Sequence, residues 1–111
     1  MVVKALSSPA TAYSALTCLR DITKNTPSMI SSHLVEVVHR CLDLSKDSPL
    51  QSRILALSIL ASCSQVEGPT TIQLAAKVTK DLAMALRDRK RVVRVEAAKT
   101  RNVWFLVTQP A

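Results

Sequence analysis

A chain of 111 residues can bury a core, and with 48% hydrophobic residues but one glycine and 3% aromatics it is poorly supplied for hairpin turns and strand faces, so the composition reads all-α. No apolar run approaches the roughly 18 to 20 residues that span a bilayer, and no basic-then-apolar leader with a small-residue cleavage site is visible. The net charge is +7; residues 81–111 carry seven Lys or Arg against three acids, residues 1–80 eight against five, so nucleic acid, anionic lipid and acidic protein all stay open as partners.

In chain order, Val2 to Leu6 reads like the tail of a helix whose beginning lies elsewhere. Ser8-Pro9 opens the first complete helix, with Ser8 as N-cap and Pro9 at the first helical position, where its missing N–H costs nothing. Ala12, Ala15, Leu16, Leu19 and Ile22 mark its apolar face, and Ala12, Leu16 and Leu19 are more than one neighbouring helix is expected to cover. Thr26-Pro27 ends that helix and starts a second by the same device, with Ile30, Leu34, Val37, Val38, Cys41 and Leu42 inward and Glu36 with Arg40 as an outward i, i+4 pair. Ser48-Pro49 starts a third, apolar nearly all round as a layer packed on both sides requires. The single glycine, in Val66-Glu67-Gly68-Pro69, is expected to stop it through a left-handed turn. A fourth helix from Pro69 or Thr70 carries Ala75, Val78, Leu82, Ala85 and Leu86, with Lys77 and Asp81 paired outside. After the turn from Arg87 to Arg91, with Asp88 as cap, a fifth runs to about Val107, and residues 108–111 fray.

These helices repeat. Asp47, Arg53 and Ala56 return 41 positions later as Asp88, Arg94 and Ala97, and the columns Leu16, Leu57, Ala98 and Ile22, Cys63, Trp104 keep the register. A period near 40 with two helices per unit marks an α-solenoid of the HEAT or armadillo kind. The count is about two and a half repeats, one lone helix followed by the pairs 27–64 and 70–107, read as one unit over 1–111 that belongs to a longer array.

Chemistry-bearing residues are few. There is no Gly-rich phosphate loop, Cys-x-x-Cys or nucleophile elbow, so no catalytic residue and no enzyme is expected. His33 and His39 sit about 120° apart on one helix and do not converge on a metal, and His39 is placed as an exposed partner of Asp43. Cys18, Cys41 and Cys63 are read as buried thiols in a reducing compartment, with no metal or cofactor. Asp47 with Arg53 and Asp88 with Arg94 read as rungs of a stacking ladder, an Asp of one repeat meeting an Arg of its neighbour. Arg87, Arg89, Lys90 and Arg91, with Arg101 where earlier repeats have Leu19 and Leu60, either solubilise the last helix or rim a partner site. Trp104 is either core plug or interface anchor.

Lys90-Arg91, Val93-Arg94, Glu96-Ala97, Arg101 and Trp104-Phe105-Leu106 together resemble the closing segment of the large HEAT-repeat adaptors of cytosolic iron-sulfur protein assembly. In that family the closing repeats act as a docking arm for a targeting subcomplex, made of a WD-repeat propeller and a small acidic subunit, while the rest of the solenoid receives client apoproteins. The resemblance therefore implies a non-enzymatic adaptor that helps clusters reach DNA polymerases, repair helicases and similar enzymes without needing a cluster itself. It also implies cytoplasm and nucleus, with the spindle in dividing cells. Two readings compete with it: a general HEAT scaffold, and a basic module for nucleic acid or microtubules; a membrane partner is not expected, and direct nucleic-acid binding is the less favoured reading.

Overall fold

A computed structural model describes residues 9–25, 30–46, 49–66 and 68–107. The expected cap at Ser8, the Thr26-Pro27 start, Asp47, Ser48 and the closing residues 108–111 fall outside these. The α-helices are α1 (Pro9–Asn25), α2 (Leu34–Lys46), α3 (Leu50–Cys63), α4 (Pro69–Asp81) and α5 (Arg91–Val107), with 3-10 turns at Ser31–His33 and Ala85–Arg87. No strand occurs among the described residues. The fold is all-α and solenoid-like.

α1, α3 and α5 stack side by side as one layer, and α2 and α4 form the second. The shortest dimension, 20 Å, is two helix diameters, as two layers require. α3 is the centre of the assembly, packed on α1, α2 and α5 at once. Its sequence explains the place: Ser52, Leu55, Ala56, Leu57, Ile59, Leu60 and Cys63 are buried all round the helix, leaving no broad polar face to turn to water. α2 has one neighbour layer and correspondingly one buried stripe, Leu34, Val37, Val38, Cys41, Leu42 and Ser45. Its outer residues Glu36, Arg40, His39 and Asp43 are all exposed, and the expected pairings of Glu36 with Arg40 and of His39 with Asp43 do not form.

Two expectations need correction at helix ends. α2 begins only at Leu34, after a 3-10 turn in which His33 N–H donates to the carbonyl of fully buried Ile30 at 2.9 Å. Gly68 does not close α3. That helix ends at Cys63, and the chain tightens into three-residue bonds from Ser64, Gln65 and Val66 N–H to the carbonyls of Ala61, Ser62 and Cys63. Gly68 instead precedes α4, at φ 132° and ψ 168°, a conformation that L side chains rarely adopt, and Pro69 follows in the first turn. Thr71 Oγ1 donates to Val66 O at 2.6 Å and fastens this turn from inside.

α1 also differs from expectation. Leu16 and Leu19 are fully buried and Ala15 nearly so, against α3, while Tyr13 is the large side chain left half-exposed. α4 stops at Asp81, but the turns beyond it hold Leu82 and Ala85 in the core, continuing its inner stripe. Lys77 Nζ meets Asp81 Oδ2 outside at 2.9 Å, and that hydrogen bond lowers the Asp81 carboxyl from its usual range. No described helix is long and apolar enough to cross a membrane.

Candidate functional site

The two arginines of the repeat occupy different surroundings. Arg53 on α3 is buried, and its Nε lies 3.3 Å from Asp88 Oδ2 at the head of α5, with both side chains about one-tenth exposed. This contact is an ion pair whose N–H direction is too oblique for a hydrogen bond. The other oxygen of Asp88, Oδ1, accepts the Lys90 N–H at 2.9 Å and so shapes the entry to α5. Arg94 on α5 is exposed, and its Nη1 donates to the Asp88 carbonyl at 2.7 Å. Arg94 therefore meets an acid's backbone within its own repeat, whereas Arg53 meets a carboxylate of the next. Asp47 lies outside the described residues.

Two further contacts fix α5 on α3. Thr100 Oγ1 lies 3.0 Å from Leu57 O and 2.8 Å from Glu96 O, sharing its one proton between them. Trp104 Nε1 donates to Leu60 O at 2.8 Å. Leu60 is in the last turn of α3, where carbonyls lose their helical partners, so the indole N–H supplies a donor that the helix end lacks. Trp104 is completely buried and cannot anchor a partner from the surface; of its two readings, the core plug is what the geometry gives. The exposed aromatic is the next residue, Phe105, with Arg101 packed over its ring at 5.0 Å.

Arg87, Arg89 and Lys90 before α5 and Arg91 at its first position are all exposed. None has a carboxylate within ion-pairing distance among the described residues, because Asp88 is directed to Arg53 and Glu96 pairs with Lys99 at 3.5 Å. Arg101 is half-buried, lying one flank away. The structure thus gathers cations and one exposed ring at a single end of the array. Sequence reasoning passed over Val92 and Val95, which stay exposed beside Ile54, Arg91 and Glu96 around an open hollow of about 360 Å³. Both fit the helical apolar period, and only the packing shows that they point away from the core.

Cys41 and Cys63 are buried, as read from sequence, but Cys18 is exposed. Burial pushes the Cys63 thiol up to about 12, and burial together with the nearby Cys63 raises Cys41. Among the described residues no group of three or more His, Cys, Asp or Glu converges on a metal position.

No family model matches the chain. It is similar over 99% of its length, at 32% identity, to the human "MMS19 nucleotide excision repair protein homolog". The Drosophila melanogaster "MMS19 nucleotide excision repair protein" is 43% identical over 71% of the chain, and the Schizosaccharomyces pombe "DNA repair/transcription protein mms19" 34% identical over 91%. The chain spans about a tenth of the length of these curated relatives.

Proposed function

Because the chain belongs to the MMS19 nucleotide excision repair protein family, we propose that it is a non-enzymatic docking segment of a DNA repair and transcription protein that acts as an adaptor in cytosolic iron-sulfur protein assembly. Its partner on this reading is the targeting subcomplex of a WD-repeat propeller and a small acidic subunit. Client apoproteins such as repair helicases engage the longer protein, in cytoplasm and nucleus and at the spindle during division. The observation that supports the reading is the cation cluster Arg87, Arg89, Lys90 and Arg91, exposed and without a facing carboxylate among the described residues. Such a cluster steers an acidic surface into register and raises its rate of encounter.

The test is association of the chain with the purified subcomplex at low and physiological salt. Reversing Arg87, Arg89, Lys90 and Arg91 to Glu is expected to slow association by about tenfold or more at low salt, with the difference shrinking as salt rises. Helix content is expected to persist, since exposed charges contribute little to folding. Wild-type association rates in the reversed chain would defeat the reading.

A further inference from the structure

We infer that the outer face of α5, formed by Arg94, Ala98, Arg101 and Phe105, docks an acidic helix of a partner protein, with Arg94 receiving a carboxylate as Arg53 receives Asp88. The inference rests on the docking reading above and gives it a surface and a chemistry. Its basis is the 41-residue translation between α3 and α5. Counting back by that interval, the four positions are Arg53, Leu57, Leu60 and Ser64, one face at i, i+4, i+7 and i+11. On α3 that face is covered: Asp88 meets Arg53, Thr100 meets the Leu57 carbonyl and Trp104 the Leu60 carbonyl. On α5 the equivalent positions open outward, with Arg94, Ala98 and Phe105 exposed and Arg101 half-buried.

The substitutions along this face select the occupant. Leu57 has become Ala98, which removes bulk at the middle and lets a helix approach closely. Leu60 has become Arg101, so an apolar helix laid here would desolvate a guanidinium with nothing to pair it. A helix carrying acids satisfies Arg101 and Arg94 together. Arg94 is already held by its bond to the Asp88 carbonyl, which uses one of five N–H donors and leaves the rest of the fork for a carboxylate. Holding the side chain in advance lowers the ordering cost of capture. Beside Phe105, a hollow of about 170 Å³ lined by Ile72, Ala76 and Thr79 is fit for one apolar side chain of the arriving helix. The face wants acids for its arginines and an apolar residue for its hollow.

The experiment follows the arginine Nε–Hε signals of the isotope-labelled chain while a synthetic peptide is added. The peptide is an amphipathic helix of about 18 residues with Leu at three- and four-residue spacing and Asp or Glu flanking it, and a control carries Lys in their place. Saturable shifts of Arg94 and Arg101 with the acidic peptide only, weakened about tenfold by Arg94→Ala, are expected. Arg94→Glu is expected to weaken capture of the purified propeller subcomplex as well, with circular dichroism unchanged. Shifts centred on Arg87 to Arg91, or no saturable binding of the acidic peptide, overturn the inference. So does a subcomplex that binds Arg94→Glu as tightly as wild type, and in that case the adaptor reading survives alone. A peptide that saturates at Arg94 while the subcomplex ignores the wild-type chain leaves the inference standing and removes the adaptor reading.

Discussion

Arg53 and Asp88, one in the centre of the helical array and the other at the head of its last helix, face each other at 3.3 Å with little access to water. Removing Asp88 takes a carboxylate away from the buried Arg53 guanidinium, and the same carboxylate holds the Lys90 N–H. Asp88→Ala is therefore expected to cost about 3 kcal/mol in denaturant unfolding, more than a surface ion pair would. A cycle with Arg53→Met should show coupling of about 1 to 3 kcal/mol, and additive costs would mean that the two groups act separately.

Trp104 combines bulk with a directed bond, and two substitutions separate them. Trp104→Phe keeps most of the packing but leaves Leu60 O without its donor, with an expected loss of about 1 to 2 kcal/mol. Trp104→Ala opens a cavity as well and should cost about 3 to 5 kcal/mol. Equal midpoints for the two variants would show that packing contributes nothing beyond the bond.

Much of the arrangement was legible from residue periodicity, and the failures have physical causes. The inner stripe of α2 and the encircling apolar surface of α3 follow from three- and four-residue spacing, because burial is what that spacing encodes. The 41-residue interval pairs Arg53 with Arg94 and Asp47 with Asp88, and the contact between Arg53 and Asp88 runs from one repeat to the next. Arg94 was grouped with Arg53 on the same pattern, yet its guanidinium turns to a backbone carbonyl, an acceptor that no residue pattern records. Trp104 and Phe105 are adjacent aromatics of opposite fate, and only the helix phase set by Val93, Ala97 and Thr100 separates them. Cys18 lies off the face marked by Ala15, Leu16, Leu19 and Ile22, whereas Cys41 sits within the inner stripe of its helix, so their different burial follows the helical spacing rather than the residue type.

The thiols give a chemical readout of that packing. Cys18 is expected to react with Ellman's reagent at once near pH 8, while Cys41 and Cys63 react only as fast as the protein opens. More than one prompt equivalent would contradict the buried pair. Their raised folded values also carry a sign for stability. Above the ordinary thiol value of 9.0 the unfolded chain loses those protons and the folded chain keeps them, so stability falls with rising pH, for Cys63 across the window from 9.0 to about 12. Urea midpoints measured on either side of pH 9.0 should show the decline, and Cys63→Ala should reduce it.

Gly68 tests backbone strain in isolation. A Cβ added there meets no atom within 4 Å, so any cost of Gly68→Ala comes from its φ of 132°. A lowered melting temperature equivalent to about 1 to 3 kcal/mol is expected. An unchanged melting temperature would mean that this turn relaxes to another conformation.

The bonds from Thr100 and Trp104 end on main-chain oxygens of α3, and an oxygen of that kind is furnished by whatever amino acid occupies the site. The fastening is consequently lopsided. Leu57 and Leu60 can drift among apolar types of similar volume without unhooking the next helix, whereas Thr100 and Trp104 have no comparable freedom. For these two bonds a repeat needs from its predecessor only a helix of the right phase with room beside it, and the one matched side chain is the arginine that meets Asp88. Repeats of this kind are thus suited to transplantation, with α5 and its leading turn able to seat on another helix pair that keeps an arginine at the place of Arg53.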